Sequence, residues 1–437
     1  MIAAEEQVRR AALPLRGEGD LDPLLERVGE ARFVLLGEAS HGTHEFYAWR
    51  AAITRRLVLE KGFSLVTVEG DWPDCHRVNC SVTGAPGAPE DPAEVLAGFG
   101  RWPTWMWANT DVVELTRWLR SHNDTLPADA RVGFHGLDVY SLMDSLRSVV
   151  AYLREHEPGH VDAALEALRC FEPHGEDVQR YAEATRLAPS SCEGPVVELL
   201  ARLRSGTDGT GHERDARFDA EQNALVAAGA EAYYRAVVRG GAQAWNVRDR
   251  HMADTLDRLV AHRGPGAKAV VWEHNTHIGD ARFTDMARDG MVNVGQLVRE
   301  RHGEDDVVLV GFGSHGGTVV AARAWDGPSQ VLPLPPAHPG SVEDLLHHSG
   351  IDPAALFVFP TAGELPRWLT GIREHRAVGV VYQPELDPTH NYVPTVLGRR
   401  YDAFCWFDRT RALTPLHGEP PAAGPGHGED DTWPWGQ

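Results

Sequence analysis

Basic residues are scarce in this sequence, and long apolar runs are absent. The 437 residues include 42 Lys and Arg against 63 Asp and Glu, and the formal net charge is −21 at pH 7. A negative field of this size repels nucleic acid and anionic membranes, so neither is an expected partner. No apolar stretch is long enough to span a bilayer, and the N-terminal residues lack the apolar segment of a secretory signal. We therefore expect a cytoplasmic location.

Cysteine is also scarce. The number of cysteines is odd, they are widely scattered, and no two form a CxxC pair. This pattern predicts free thiols rather than a disulfide framework or a zinc cluster. The cysteines are Cys75, Cys80, Cys170, Cys192 and Cys405.

Two familiar motifs occur in a form that cannot carry their usual function. His156–His160 matches HExxH, but Pro158 and Gly159 break the helix that would place both histidines on one face. Gly311–Gly316 matches the dinucleotide fingerprint GxGxxG, but the residues after it look extended rather than helical. Neither a metalloprotease centre nor a dinucleotide site is expected, and no cofactor is predicted.

A serine nucleophile is not supported either. Around Ser40 the first glycine of the G-x-S-x-G elbow is missing. Ser40 is instead expected to cap a helix that begins at Gly42 or Thr43.

Apolar runs that end in polar residues recur along the chain. Most are continuous rather than alternating, which is typical of strands buried on both faces of a parallel sheet. Helical patterns separate several of them, including Thr43–Lys61 and Asp111–Ser121. The predicted fold class is α/β, with a mostly parallel sheet flanked by helices. The runs are Arg32–Glu38, Phe63–Asp71, Arg131–Asp138, Ala267–Asn275, Asp306–His315, Ala377–Glu385 and Tyr401–Asp408.

The middle of the chain has a different pattern. Between Leu142 and His262 the sequence reads as consecutive helices with no strand candidate. We expect an α/β catalytic core from residues 1–141 and 263–417, with an inserted helical subdomain at 142–262. Residues 418–437 are rich in Pro, Gly and acid, and a disordered tail is predicted there.

Histidines and carboxylates follow the predicted strands, one after another. In open α/β sheets ligands bind outside the carboxyl ends of the strands, so these side chains are expected to share one site. Aromatic residues of the helical insertion, Tyr233 and Trp245, are candidates for a cleft wall, although core packing explains them equally well. The strand-end residues are Glu38, Ser40, His41, His44, Glu69, Asp71, Asp74, His135, Asp138, Tyr140, Glu273, His274, Asn275, His277, Ser314, His315, Glu385, Asp387 and His390.

Residue spacing alone supports neither a site role for Arg50 nor a defined metal site. The spacing of Arg50 on the predicted helix favours a surface arginine when taken alone. Glu38, His41, Glu69, His274 and His277 are residue types that suit zinc or manganese, but no motif fixes a ligand set. A metal site is therefore the less favoured interpretation.

At these residues the chain resembles the erythromycin esterase family. The resemblance rests on LGEASHGTHEFY, VEGDW, WNVRDRHMADTL, VVWEHNTHIGDAR, NVGQLVRE, GTVVAARAW, YQPELDPTHNY and YDAFCWFDRT, which occur in that order. It implies metal-independent ester hydrolysis in which a histidine activates water, with His41 as the general base. It further implies that Glu38, Arg50, Glu69, His274 and His277 are its partners, so Arg50 becomes a predicted site residue.

The expected activity is that of a carboxylic ester hydrolase acting on an ester or a macrolactone, with a small molecule as the only expected partner. His44, Asp71 and His390 are predicted to contact the substrate, together with Tyr233 and Trp245. Three alternatives stay open at this point. The same acid–base groups suit a biosynthetic isomerase, cyclase or acyl-transfer enzyme, the cluster suits a metal-dependent hydrolase, and the protein could bind a small molecule without converting it.

Overall fold

The computed structural model describes residues 4–174, 178–187, 191–205, 211–351 and 353–417. The chain divides into two compact units. The first contains the residues up to Thr67, Cys80–Gly133 and the chain from Gly266 onward, and the second contains Val68–Asn79 and Phe134–Pro265. The boundaries 142 and 262 expected for a helical subdomain stay a prediction, and the expected tail at 418–437 lies outside the described residues.

Strands and helices alternate through most of the described chain. The strands are β1 (Leu13–Pro14), β2 (Phe33–Leu36), β3 (Leu65–Asp71), β4 (Gly133–Asp138), β5 (Ala269–Trp272), β6 (Val307–Ala321), β7 (Gln330–Leu334), β8 (Ala354–Val358), β9 (Ile372–Arg376), β10 (Tyr392–Val396) and β11 (Ala403–Thr410). The helices are α1 (Ala4–Ala11), α2 (Asp22–Val28), α3 (His44–Lys61), α4 (Trp72–Thr83), α5 (Pro92–Ala97), α6 (Thr110–Asn123), α7 (Leu142–His156), α8 (Val161–Phe171), α9 (Val178–Leu187), α10 (Glu193–Ser205), α11 (His212–Val237), α12 (Gln243–Arg263), α13 (Asn275–Ile278), α14 (Val294–His302), α15 (Val342–His348), α16 (Arg367–Thr370), α17 (Asp387–His390) and α18 (Leu397–Arg400). Short 3-10 turns lie at Glu18–Leu21, Thr104–Met106, Ala128–Ala130, Pro158–His160, Glu172–His174, Ala281–Phe283, Asp285–Asp289, Glu304–Asp306 and Pro384–Leu386.

The first unit is built on a mostly parallel sheet. Its strands lie in the order β1-β8-β11-β6-β2-β5, and β7 pairs with β6. The pairs β11–β6, β6–β2 and β2–β5 are parallel, whereas β8, β1 and β7 join the sheet antiparallel. The predicted α/β class with a mostly parallel sheet is therefore confirmed.

Two strands of this sheet are completely buried. Every residue of β2 and β5 is buried, which explains their continuous apolar sequences. Leu36 of β2 pairs with Trp272 of β5 and with Val310 of β6, so the three strands keep one register. The polar residues that follow them therefore leave the sheet at the same edge.

The second unit is largely helical. Helices α7 to α12 lie within it, and apolar residues from several of them form a common core that includes Leu146, Val149, Ala224 and Ala227. The last residues of β3 also belong to this unit, as does β4 after its first residue. The predicted helices between Leu142 and His262 are confirmed.

One predicted strand is wrong. Residues 377–385 form no strand; they contain only isolated bridges, at Val378 and Val381. The apolar character of this run reflects burial rather than pairing, since Val378 packs in a small core with Val319 and Tyr382. The strands β1 and β7 to β10 were missed, and β6 continues past its predicted end at His315 to Ala321.

Both motif interpretations agree with the structure. Helix α7 ends at His156, and Pro158–His160 forms a separate 3-10 turn, so the two histidines share no helical face. Strand β6 runs straight through Gly311–Gly316, where a dinucleotide site would need a turn and a helix.

The expectation of five free thiols is wrong for two of them. Cys170, near the end of α8, forms a disulfide with Cys192, which precedes α10. Spacing in the sequence did not reveal this pair, because the two cysteines lie 22 residues apart and share no helix. Cys75, Cys80 and Cys405 are free thiols, as expected. Among the described helices, none is long and apolar enough to cross a bilayer.

Candidate active site

The ends of β2 and β5 bring two sequence motifs into contact. The backbone N–H of Asn275 donates to the carbonyl of Glu38 over 2.8 Å, which joins the segment after β5 to the segment after β2. The shared register of the strands makes this contact geometrically direct. More than two hundred residues separate the partners in the chain, so the parallel sheet alone creates their proximity.

Glu38, His41 and Arg50 form a buried hydrogen-bonded group. His41 Nδ1 lies 3.0 Å from Glu38 Oε1, and Arg50 Nη2 donates to Glu38 Oε2 over 2.7 Å. The three side chains are between 0% and 3% exposed. An ionised carboxylate accepts from both partners, so Nδ1 of a neutral His41 carries the proton and Nε2 carries the lone pair.

The surface position that spacing suggested for Arg50 is wrong. Its guanidinium lies 4.4 Å from the ring centre of Tyr47 and 4.6 Å from that of Trp272. Two aromatic faces and a carboxylate thus surround a fully buried cation, an arrangement that stabilises arginine more than lysine. The sequence held a signal for this, because Arg50 lies on the helical stripe that Phe46 and Ile53 occupy.

Ser40 does not act as the expected helix cap. Helix α3 begins at His44 with Thr43 as its N-cap residue, and the Thr43 side chain makes no capping hydrogen bond. Ser40 Oγ instead makes a short hydrogen bond with Thr43 Oγ1. Its backbone also forms an isolated bridge with Val378, which holds the segment before α3 in place.

His274 lies beside His41. The two ring centres are 4.9 Å apart, with an angle of 43° between the planes. His274 Nδ1 is 2.8 Å from Thr276 Oγ1 and accepts from the Thr276 N–H at 3.3 Å, so this side chain caps α13. A nitrogen that accepts from a backbone N–H carries no proton, and the proton of a neutral His274 therefore sits on Nε2.

His277 lies on the short helix α13 and is fully buried. The segment around it is fixed by Asn293, which donates to the carbonyl of Thr276 over 2.7 Å and also to that of Gly279. His277 N–H donates to the His274 carbonyl over 2.9 Å. The structure thus places His277 one helical turn from His274, with its backbone held rigidly.

Two predicted substrate contacts of the first unit have other partners. His44 lies 2.8 Å and 3.0 Å from the two carboxylate oxygens of Asp111. The hydrogen bond to Asp111 raises the pKa of His44 above its ordinary value, although burial opposes the shift. His390 ends α17, is half-buried, and lies 2.8 Å from Thr389 Oγ1. A substrate contact stays a prediction for both histidines.

In the second unit, Glu69 is part of an ion-pair cluster. Arg248 Nη2 donates to Glu69 Oε1 and to Asp138 Oδ2, each over 2.7 Å, and all three residues are buried. Burial alone would raise the pKa of Asp138, but the charge of Arg248 and the hydrogen bonds from Arg248 and the Val139 N–H together outweigh it and lower the pKa. Asp138 was among the strand-end residues expected at a shared site, whereas Arg248 was not predicted, although it lies within a quoted motif.

The other predicted residues of the second unit are buried as well. Asp71 ends β3 and is 7% exposed. Tyr233 packs edge-on against Tyr140 with ring centres 5.1 Å apart, and Trp245 lies on α12 with 6% of its surface exposed. Core packing therefore accounts for both aromatic residues, and a cleft wall stays a prediction.

Across the described ranges, no group of three or more His, Cys, Asp or Glu side chains is arranged to hold a metal ion. Glu38 Oε2 accepts from Arg50, and His274 Nδ1 lies in hydrogen-bond contact with Thr276 Oγ1, so these two atoms have protein partners.

Comparison with known proteins gives a consistent result. The family model described as erythromycin esterase matches residues 58–410. Erythromycin esterase type II of Escherichia coli is 23% identical over 324 residues, which are 69% of this chain and 73% of that protein. Glu38, His41 and Arg50 precede the segment that the family model matches, so their assignment depends on the geometry described above.

Solved structures share the fold. A Bacillus cereus protein superposes with a TM-score of 0.78 at 20% identity, covering 95% of this chain and 98% of that one. A protein described as a succinoglycan biosynthesis protein gives 0.76 at 19% identity with the same coverages. A mutant of the erythromycin esterase EreC in its open conformation gives 0.66 at 17% identity, covering 94% and 98%.

Proposed function

The chain belongs to the erythromycin esterase family, and from this premise we propose that it hydrolyses a carboxylic ester or macrolactone with water that His41 activates. Family membership favours a hydrolase. The choice of base, the type of ester and the active residues are the further content of the proposal. If the ester is a macrolactone, the reaction opens the ring of a macrolide antibiotic and confers resistance.

One geometric argument carries the proposal: the hydrogen bonds of two neighbouring imidazoles favour opposite tautomers. Glu38 fixes the proton of His41 on Nδ1, whereas Thr276 fixes the proton of His274 on Nε2. The first ring therefore offers a lone pair and the second offers a proton, with 4.9 Å between the ring centres. A base and an acid side by side are what the attack of water on an ester requires.

The reaction follows from these two groups. His41 Nε2 takes a proton from water while the water oxygen forms a bond to the ester carbonyl carbon. Glu38 stabilises the imidazolium that results, as a carboxylate does for a catalytic histidine. His274 Nε2–H donates towards the negative oxygen of the tetrahedral intermediate. The intermediate collapses when the C–O bond breaks and the leaving oxygen takes the proton from His41, which yields an acid and an alcohol.

The remaining predicted residues take supporting roles in this proposal. Arg50 acts through Glu38, because its guanidinium is fully buried between aromatic rings and bonded to that carboxylate. His277 is proposed as a further polar group of the site, and a role for Glu69 stays a prediction. Ser40 is not the nucleophile, and its bond to Thr43 supports a structural role.

The test uses purified protein, a panel of macrolides and simple esters, and mass spectrometry of the products. Hydrolysis adds one water to a macrolactone or splits a simple ester into acid and alcohol. His41→Ala should lower the rate by about a hundredfold to ten-thousandfold, the usual range for general-base catalysis. Ser40→Ala is the matched control on the adjacent residue and should keep most of the rate.

Each alternative gives a different result in the same experiment. A product of unchanged mass would indicate an isomerase or cyclase, and a product extended by an acyl group would indicate acyl transfer. Loss of rate after chelation, with recovery on adding zinc or manganese, would support a metal-dependent hydrolase. An acyl adduct on Ser40 would replace activated water with a serine nucleophile. The cytoplasmic location expected from the sequence stays a prediction.

A further inference from the structure

A second buried histidine–carboxylate pair lies in the first unit. His375 of β9 places its Nδ1 2.5 Å from Glu343 Oε1, and Glu343 lies on α15. The two residues are 1% and 0% exposed. The same carboxylate oxygen also accepts the backbone N–H of Arg376 over 3.0 Å. Neither residue has a role in the mechanism described above.

This pair is hydrogen-bonded to Asn275. The side chain of Asn275 has one possible orientation, because Phe312 N–H donates to its Oδ1 and the Phe312 carbonyl accepts from its Nδ2. The Asn275 amide also lies 3.2 Å from His375 Nε2, and Nδ2 is a donor, so His375 Nε2 accepts. The proton of His375 is therefore on Nδ1, where it is donated to Glu343.

Neutral His375 agrees with its surroundings. Burial lowers the pKa of the ring, although the charge of Glu343 opposes the shift. Glu343 pairs through one oxygen only, since its Oε2 finds no hydrogen-bond partner among the residues that the structure describes. A buried carboxylate with one unsatisfied oxygen contributes little to stability, which points to a role other than holding the fold together.

Asn275 connects His375 to the candidate site, because its side chain contacts His375 and its backbone belongs to the segment that carries His274. It stands between Glu273-His274 and Thr276-His277 in the chain, and its N–H donates to the Glu38 carbonyl over 2.8 Å. The fit is tight, because a Cβ atom on Gly37 would lie 2.1 Å from Asn275 Oδ1. Any rotation of the Asn275 amide therefore displaces the backbone that carries His274.

We propose that His375, in the tautomer set by Glu343, is a positioning residue that orients Asn275 and thereby sets the distance between His41 and His274. The inference rests on the proposed function, in which these two rings act together. His375 does not touch substrate. Its loss should lower kcat and leave KM nearly unchanged, because small displacements in a site reduce the rate by up to about a hundredfold.

Two substitutions separate the hydrogen bond from packing. His375→Phe keeps an aromatic ring beside Tyr401 and Phe404, whose ring centres lie 5.9 Å and 5.5 Å from that of His375, but removes the acceptor. His375→Gln places an oxygen near the position of Nε2 and keeps the acceptor. The expected kcat is about ten- to a hundredfold below wild type for His375→Phe. His375→Gln should recover most of that loss.

The matched control is another histidine–glutamate pair of the same unit. His338 and Glu374 share a hydrogen bond but are 24% and 47% exposed. His338→Phe should leave kcat and KM within about twofold of wild type, because exposed pairs contribute little. The substrate in all cases is the ester or macrolide that gives the highest wild-type rate in the panel.

A second readout does not depend on activity. Protein labelled with ¹⁵N histidine reports the tautomer and the environment of each ring, with His41, His274 and His375 assigned by single substitutions. We expect wild-type His375 to be protonated on Nδ1, and we expect His375→Phe to shift the resonances of His41 and His274 while His338→Phe leaves them unchanged.

The outcomes are distinct. Unchanged His41 and His274 resonances in folded His375→Phe would overturn the proposal, as would wild-type His375 protonated on Nε2. A kcat of His375→Phe within twofold of wild type would also overturn the proposal. If no ester is hydrolysed by the wild type, the proposed function fails, and the resonances alone decide the positioning role. If His375→Phe does not fold, His375→Gln decides: recovered resonances and rate support the proposal, and a loss like that of His41→Ala contradicts it.

Discussion

Replacing Glu38 with glutamine changes one carboxylate oxygen into an NH2 group and leaves the size of the side chain the same. The structure determines which way the new amide must face. Arg50 has only donors, and its Nε and Nη1 find no hydrogen-bond partner in the described part of the chain, so its bond to residue 38 is the one it must keep. The glutamine oxygen therefore faces Arg50, and the NH2 group faces His41.

This orientation reverses the tautomer of His41. An amide N–H at 3.0 Å from Nδ1 needs an acceptor there, so the proton moves to Nε2 and the ring can no longer take a proton from water. Where a carboxylate-to-amide change traps a catalytic histidine in the wrong tautomer, the rate falls about ten-thousandfold. At 1.36 kcal/mol for each factor of ten, this corresponds to about 5 kcal/mol of activation free energy.

The comparison variant is Glu38→Asp. Aspartate keeps an acceptor-only carboxylate, so His41 keeps its proton on Nδ1, but the shorter side chain holds the ring less well. We expect Glu38→Asp to lose about ten- to a hundredfold in kcat, much less than Glu38→Gln. The assay is initial-rate hydrolysis of the best ester of the panel, with ¹⁵N spectra of the histidine rings recorded on the same samples.

Two separate results are expected of the Glu38→Gln variant. The glutamine variant must show His41 protonated on Nε2, and it must be slower than the aspartate variant. A glutamine variant within tenfold of wild type would refute the assignment of His41 as base. The wild-type tautomer in that variant would refute the argument that Arg50 fixes the amide.

The remaining predictions concern stability. Arg50→Met leaves the buried Glu38 carboxylate without its ion-pair partner and should lower the free energy of unfolding in urea by about 3–5 kcal/mol, with partial recovery when Glu38→Gln is added. The pKa of His44 is raised mainly by its hydrogen bond to Asp111, so its stabilisation is present below about pH 6.5 and is lost as pH rises through the raised pKa. The difference in melting temperature between wild type and His44→Gln should accordingly shrink from about pH 6 to about pH 9. Gly42→Ala would place a Cβ atom 1.9 Å from a backbone carbonyl oxygen of β6 and should lower the melting temperature, since overpacking costs about 1–3 kcal/mol.

The central strands could be predicted because their burial is recorded in the sequence itself. Phe33–Leu36 and Ala269–Trp272 are short continuous apolar runs, and each is followed within two residues by a glutamate. Parallel pairing then places those charged residues at one edge without further information. This rule alone predicts that His41 and His274 lie close together, and in the structure their ring centres are 4.9 Å apart.

The burial of Arg50 could not be predicted in the same way. An arginine in an apolar stripe is buried only if a carboxylate and aromatic faces reach it, and two of those groups come from other elements. Glu38 precedes the helix, and Trp272 lies on β5, far away in the chain. Helical periodicity describes one helix at a time, and it contains no information on what packs against it.

The pair formed by His375 and Glu343 was even less predictable, because the sequence did not reveal the strand that carries His375. The sequence of β9, Ile372–Arg376, is IREHR, which reads as an exposed polar segment, and the neighbouring apolar run 377–385 drew the strand prediction to itself. In the structure the polar segment pairs with β10, and the apolar run is a buried loop. Tertiary contacts decide which segment forms a strand when intrinsic preferences are this weak.

The distribution of buried charge explains why these contacts exist. Arg50, Arg400, Glu343 and His375 are each at most 1% exposed, although moving a charge out of water costs several kcal/mol even when it is paired. Arg400 donates to the carbonyl of Asn275 over 2.9 Å, and His375 accepts from the Asn275 amide. An apolar core of equal volume would be as stable, but it could not fix the direction of a peptide group or the tautomer of a ring. A site that depends on two imidazoles with opposite tautomers needs a fixed peptide direction and a fixed ring tautomer. This requirement accounts for the buried polar groups at positions where apolar packing would otherwise be favoured.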